Sequence, residues 1–169
     1  MHLVIDGYNL LLVGRSQIRL SSMDLLAERD RLVDRLARYR QVKPCDITVV
    51  FDGWHGGWSE EKKERKKGIE LIFSKLGEKA DEVIKRLVRE RGSGVAVVTS
   101  DREISNYANR LAATCIPSDQ FQRKMEISPV RLEKGIEEED PADRGTKRKG
   151  PSRRPSKKER RMQTALKKL

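Results

Sequence analysis

The run Leu3-Val4-Ile5-Asp6-Gly7-Tyr8-Asn9 decides the fold. An apolar stretch that stops on an aspartate, a glycine and an asparagine reads as a strand buried on both faces, as the strands of parallel sheets are. In open α/β sheets ligands bind just beyond the carboxyl ends of such strands, where the strand order reverses, and Asp6 stands at that end. The pattern recurs twice. Ile47-Thr48-Val49-Val50-Phe51 stops on Asp52-Gly53, and Val95-Ala96-Val97-Val98 runs into Thr99-Ser100-Asp101.

Helical signals fill the intervals. Leu10 to Gly14 reads as a turn or short helix on the core. Ser21 and Ser22 offer caps for a helix from about Met23 to Arg40, in which Leu25, Leu32, Leu36 and Tyr39 share one stripe with Leu26 and Val33 beside it. Trp54 to Lys67 lacks apolar periodicity and is expected to be a long surface loop, followed by a strand from Ile69 to Ser74. Asp81 to Arg91 reads as a helix with Ile84, Leu87 and Val88 inward, ended by Gly92 and Gly94. A helix from about Arg102 to Ala113, a short strand Thr114–Ile116 and a helix from Ser118 to about Met125 complete a βα alternation. The chain is therefore expected to be α/β, with a central, mostly parallel sheet between helices.

Charge divides the 169 residues unequally. From Arg144 onward lie 12 of the 37 Lys/Arg and one of the 26 acids, so 25 of each remain in the body and the net +11 belongs to the tail. Three regions follow: a globular domain over 1–128, a linker over 129–155 that is acidic at Glu137 to Asp140 and then basic and expected to be disordered, and a short basic amphipathic helix over 156–169. Ser156-x-x-Glu159 is a capping box for that helix, and Met162, Ala165, Leu166 and Leu169 recur at helical spacing. Such a tail is an electrostatic handle for a polyanion. Nucleic acid is the expected partner, and no membrane, because the sequence carries no signal peptide, spanning stretch or lipidation motif. A cytoplasmic location is expected. Cys45 and Cys115 stand outside any CxxC spacing and fit reduced thiols.

Parallel strands place Asp6, Asp52 and Asp101 on one rim, and Asp81, at the start of the helix after the third strand, can point to it too. Carboxylates brought together repel unless a cation lies between them, and hard oxygen ligands select Mg²⁺ or Mn²⁺. Asp6, Asp81 and Asp101 are the expected metal ligands, and Asp6, Asp52, Asp81 and Asp101 the expected catalytic set. A metal so held activates water and offsets charge on a phosphodiester, which is nuclease chemistry. The bland alternative for Asp81 or Asp101 alone is a helix cap.

Four blocks in order, Val4-Ile5-Asp6-Gly7-Tyr8-Asn9, Val50-Phe51-Asp52-Gly53, Ala80-Asp81-Glu82-Val83-Ile84 and Thr99-Ser100-Asp101, resemble the YacP-like NYN domain family, a bacterial branch of the PIN-like nucleases. The resemblance covers roughly Met1 to Ser128. It implies a three-layer α/β/α PIN-like sandwich and metal-dependent endoribonuclease activity. By position Asp6, Asp52, Asp81 and Asp101 match the family's acids, and Asn9 its first-motif asparagine. After the fifth strand, Asp119 is a secondary candidate for a further acid, or an ordinary helix start.

Other residues are candidates for binding substrate. Asn9 offers a neutral oxygen or a hydrogen bond to phosphate, and Arg102 adjoins Asp101. Trp54 and Trp58 would stack on unpaired bases or cap the core. Lys62, Arg65 and Lys66 would guide RNA or form a solvated face. A phosphatase of the haloacid dehalogenase type needs a second aspartate where Tyr8 stands, and no GxGxxG or GxxxxGK[ST] is present. The expected partner is RNA, mRNA or rRNA, free or on the ribosome. The rival reading is a non-catalytic RNA- or ribosome-binding module that keeps the fold.

Overall fold

The computed structural model describes residues 1–14, 21–53, 58–134 and 156–168. In chain order the elements are β1 (His2–Asp6), α1 (Gly7–Leu11), α2 (Ser22–Val42), β2 (Asp46–Phe51), β3 (Lys62–Lys66), β4 (Ile69–Phe73), α3 (Ala80–Arg91), β5 (Val95–Val98), α4 (Arg102–Arg110), β6 (Thr114–Ile116), α5 (Ser118–Lys134) and α6 (Lys157–Lys168). The six strands form one sheet in the order β3-β4-β2-β1-β5-β6, all parallel except β3.

Alternation along each strand divides the core. Leu3, Ile5, Val49, Phe51, Leu71 and Val98 face the side covered by α1, α2 and α5, where Leu32, Leu36, Tyr39 and Phe121 meet them. Val4, Val50, Ile72 and Val97 face the other side, where α3 and α4 contribute Val83, Ile84, Leu87, Val88, Ile104 and Ala108. The result is three layers, and β1 is paired on both edges, with β2 and with β5. From β1 the chain moves outward through β2 to β4, then returns across β1 to β5. The strand order therefore reverses between β1 and β5, which puts the switch point beside Asp6 and Asp101.

The segment Trp54 to Lys67 is not simply a loop. Its second half is β3, antiparallel to β4 with Lys62 opposite Phe73 and Lys66 opposite Ile69. The two-residue turn Lys67-Gly68 has positive φ at both positions, 53° and 80°, as a tight hairpin turn of this length requires. Periodicity misses the strand because all five residues are exposed and charged. The helix expected to stop near Met125 runs on to Lys134, so the start of the expected linker continues α5. The remainder of that linker lies outside the described residues.

The capping expected before α2 falls on Ser21. Its side chain accepts from the Asp24 N–H at 3.2 Å, and Asp24 Oδ2 accepts from the Ser21 N–H at 3.2 Å. The expected C-terminal helix forms as α6 and does not stand free. Ala165 is 6% exposed within the α1/α2/α5-side core, with Leu166 packed against it, and α6 lies on β6. No helix among the described residues is long and apolar enough to cross a membrane.

Candidate active site at the switch point

Asp6 ends β1 and caps α1. Its Oδ1 accepts from the Asn9 backbone N–H at 3.1 Å, and its Oδ2 from the Thr99 hydroxyl at 3.2 Å. The residue is 8% exposed. Burial pushes its carboxyl up to about 6 against the pull of those two hydrogen bonds, and the charges of Asp81 and Asp101 push in the same direction. Gly7 follows directly because a Cβ there would lie 2.4 Å from the Phe51 ring.

Thr99 links two of the acids. While its hydroxyl donates to Asp6, its Oγ1 accepts from the Asp101 N–H at 3.0 Å. Asp101 caps α4, with Oδ1 accepting from the N–H groups of Glu103 and Ile104 at 2.6 and 3.1 Å. Asp81 lies in the first turn of α3, and its carboxyl is raised first by burial and then by Asp101, with Lys85 and Lys79 opposing. The charges of Asp81 and Asp101 thus reach Asp6, and that of Asp101 reaches Asp81, across β1, α3 and α4.

Asp52 lies at the same end of the sheet. It follows β2, and its charge acts on the phenol of Tyr8, which burial raises and Arg29 lowers. The Tyr8 hydroxyl is a buried polar atom with no hydrogen-bond partner among the described residues. At Gly53 a Cβ would fall 1.7 Å from the Ser74 carbonyl oxygen, so only glycine lets the backbone pass there. The Gly53 N–H donates to Ser74 Oγ at 3.0 Å and ties the end of β2 to the end of β4.

Asn9 is an internal link. Its Oδ1 accepts from the Ser100 N–H at 2.9 Å and from the Ser118 hydroxyl at 2.7 Å, while the Ser118 N–H donates to Ser100 Oγ at 3.1 Å. The side-chain oxygen expected to serve a ligand therefore joins α1 to the starts of α4 and α5. Asp119, one residue on, pairs with Arg123 at 3.3 Å on the exposed side of α5. Arg102 is exposed at the first position of α4, beside Asp101.

The remaining candidates spread along the sheet edge. Trp58 packs edge-on against Phe73, centroids 5.2 Å apart, with the Lys62 ammonium 4.8 Å from its ring, so this tryptophan covers the core at the rim. Trp54 lies outside the described residues. Lys62 also pairs with Glu64 at 2.5 Å, and Lys66 with Asp30 of α2 at 2.7 Å. The β3–β4 register puts only Lys62 level with the rim. Arg65 and Lys66, opposite Glu70 and Ile69, lie toward the other end of the sheet.

A hard divalent cation fits this donor set only in part. Among the described residues no three acidic, histidine or cysteine side chains come close enough to enclose an ion. Both Asp6 oxygens and one Asp101 oxygen already accept hydrogen bonds. Mg²⁺ suits such an open arrangement, because it keeps several waters and takes one or two carboxylates. Burial raises both Asp6 and Asp81, and Asp101 adds to each, an imbalance a cation would relieve.

An α/β/α sandwich of the PIN-like class with acids at its switch point is the class this fold and site define. Residues 3–167 match the YacP-like NYN domain, and the chain belongs to that family of nuclease-like RNA-processing domains. It is 32% identical over 102 residues to the protein YacP of Bacillus subtilis strain 168, an alignment that spans 59% of each chain. The crystal structure of Rae1 (YacP) from Bacillus subtilis superposes with a TM-score of 0.63 at 26% identity, covering 80% of this chain and 79% of that one. A single-substitution variant of Rae1 gives a TM-score of 0.66 at 25% identity, covering 79% of each. The family match reaches into α6, so the docked helix belongs to the matched region.

Sequence reasoning missed Thr99, Ser100 and Ser118 as parts of the site. The signals were the Thr99-Ser100-Asp101 block directly after β5 and, for Ser118, a place one residue past the end of β6.

Proposed function

We propose that this chain is a metal-dependent endoribonuclease that hydrolyses RNA phosphodiester bonds at the switch point between β1 and β5. The observation that carries the reading is the hydrogen-bond chain from Asp6 through Thr99 to Asp101 at the switch point, with Asp81 in the first turn of α3 near enough for its charge to raise Asp6. Mg²⁺ or Mn²⁺, when bound, would acidify a water and offset charge developing on the phosphodiester. One or two of Asp6, Asp81 and Asp101 would hold it, with waters as its other ligands. Thr99 ties the Asp6 carboxylate to the Asp101 backbone, and Asn9 holds the Ser100 N–H between them. Arg102, exposed at the start of α4, would meet a substrate phosphate. Asp52, whose charge acts on Tyr8, belongs on this reading to the catalytic set without being a metal ligand.

The substrate we propose is mRNA or rRNA, free or on the ribosome, gathered by the basic tail in the cytoplasm. Among the described residues no three acids stand close enough to hold an ion, which favours one rival, an RNA- or ribosome-binding module without catalysis. Cleavage discriminates the two. Purified protein is expected to cut RNA with Mg²⁺ or Mn²⁺ and not in chelator. Asp6→Asn or Asp101→Asn should abolish cutting while RNA binding persists. Cutting that survives both substitutions would exclude the proposed centre, and wild-type protein that binds without cutting would establish the rival.

A further inference from the structure

At the opposite end of the sheet from the acids, a cavity of about 700 Å³ opens between α6 and the amino-terminal ends of β5 and β6. Its α6 wall is Lys157, Arg160, Arg161 and Thr164, and across it stand Ser93, the Gly94 backbone and Thr114. The spacing i, i+3, i+4, i+7 places the cations and the threonine on one stripe of the helix, so all face the same space. The lining contains no acidic and no aromatic residue. Burial of Ala165 against the core holds the stripe in place.

The charge order of α6 is also unusual within this fold. α3 opens with Asp81 and Glu82 and closes with Arg89 and Arg91, and α4 opens with Glu103 and closes with Arg110, as the helix dipole favours. α6 instead has Lys157, Lys158, Arg160 and Arg161 within its first five residues, at its positive end, offset only by Glu159. The Glu159 carboxylate accepts from the Ser156 N–H in the helix cap. Among the described residues none of Lys157, Arg160 and Arg161 has an acidic side chain in salt-bridge contact.

We infer that this cavity is a phosphate-backbone site for RNA, separate from the acidic rim, in which Lys157, Arg160 and Arg161 each meet a phosphate. The inference rests on RNA being the partner and adds where the strand is held. Cations and hydroxyls without an aromatic wall read the backbone and not the bases, so the site binds without regard to sequence. It lies at the far end of the strands, so a strand engaged there remains bound whatever occurs at Asp6.

The test is RNA binding by the full chain in chelator, which makes it independent of cleavage. Lys157→Gln/Arg160→Gln/Arg161→Gln should weaken binding of short single-stranded RNAs about tenfold at low salt, to a similar degree for every sequence. The slope of log affinity against log salt should become less negative by about 2, three phosphates at about 0.7 each. The charge-keeping variant Lys157→Arg/Arg160→Lys/Arg161→Lys should restore both. The control Arg31→Gln/Arg35→Gln/Arg38→Gln removes the same charge from exposed positions on α2 and should give a smaller loss and slope change. Affinity and slope unchanged in the α6 variant, or matched by the α2 control, would overturn the site. Intact RNA binding together with lost binding to phosphatidylglycerol-containing vesicles would overturn it in favour of a membrane surface. A failure of RNA cleavage by the wild type would leave these binding results intact, so the two readings fail separately.

Discussion

Asp6 is a carboxylate held where ionisation is disfavoured, and that has a thermodynamic sign. Burial lifts its folded-state value from 3.8 to about 6, so between those values the folded protein binds a proton that the unfolded chain has released. Stability from this group is present near the lower value and lost as pH rises through about 6. A shift of about two units corresponds to about 3 kcal/mol against the fold at neutral pH, as an upper figure. Asp6→Asn is therefore expected to raise the melting temperature at neutral pH in chelator, and to flatten the dependence of melting temperature on pH below about 6. Thermal denaturation of both proteins across that range checks it, and parallel pH profiles would show that another group titrates. The placing of Asp6 at a strand end was legible from sequence because a run ending on Asp-Gly-Tyr-Asn is a local pattern, while the use of the Asn9 oxygen inside the fold was not. Thr99 and Ser118 were not, since their partners Asp6 and Asn9 lie 93 and 109 positions away and a hydroxyl after a strand has many uses.

Two elements, α3 and α4, carry Asp81 and Asp101, and one side chain fixes them to each other. Lys85, a turn beyond Asp81, donates to Glu103 at 2.5 Å in the first turn of α4 and to Glu82 at 3.0 Å on its own helix. The Lys85 side chain is 15% exposed, but Glu103 is 72% exposed, so the tie lies at the surface and acts through its two-helix geometry. Lys85→Met should loosen the two helix starts, and should also remove a cation that opposes metal binding. On the proposed reaction, kcat is then expected to fall roughly tenfold, a usual size for a group that orients metal ligands. The half-saturating Mn²⁺ concentration should not rise, and Lys85→Arg should retain most activity. A titration of cleavage against Mn²⁺ separates the effects, and an unchanged kcat would count against the positioning role. At this scale the parallel strands and the helices between them were legible because each buries an apolar face. β3 was not, because its strand state comes from pairing with β4 and from the Lys67-Gly68 turn, with no apolar alternation to mark it. The same charges keep that sheet edge from pairing with another chain.

In the whole molecule the two edges of the sheet are treated differently, β3 by charge and β6 by α6. The sequence showed that the last residues could be an amphipathic helix, but a small apolar set such as Ala165 and Leu166 reads equally well as a surface for a partner, and only the fold shows the domain itself as that partner. Removal of everything after Asp143 therefore does two separable things. It takes away the cations, so RNA affinity and its salt dependence should fall. It also uncovers the core around Ala165 and the flank of β6. Loss of about 1–3 kcal/mol of apolar burial should lower the melting temperature by about 3–10 °C. An uncovered edge strand also favours self-association, which size-exclusion chromatography would detect. The α6 triple Gln variant keeps Ala165 and Leu166, so it should lose RNA affinity with little change in melting temperature. A truncated chain that melts with the full one would mean that α6 contributes nothing to the fold, and the tail would then be a handle and no more.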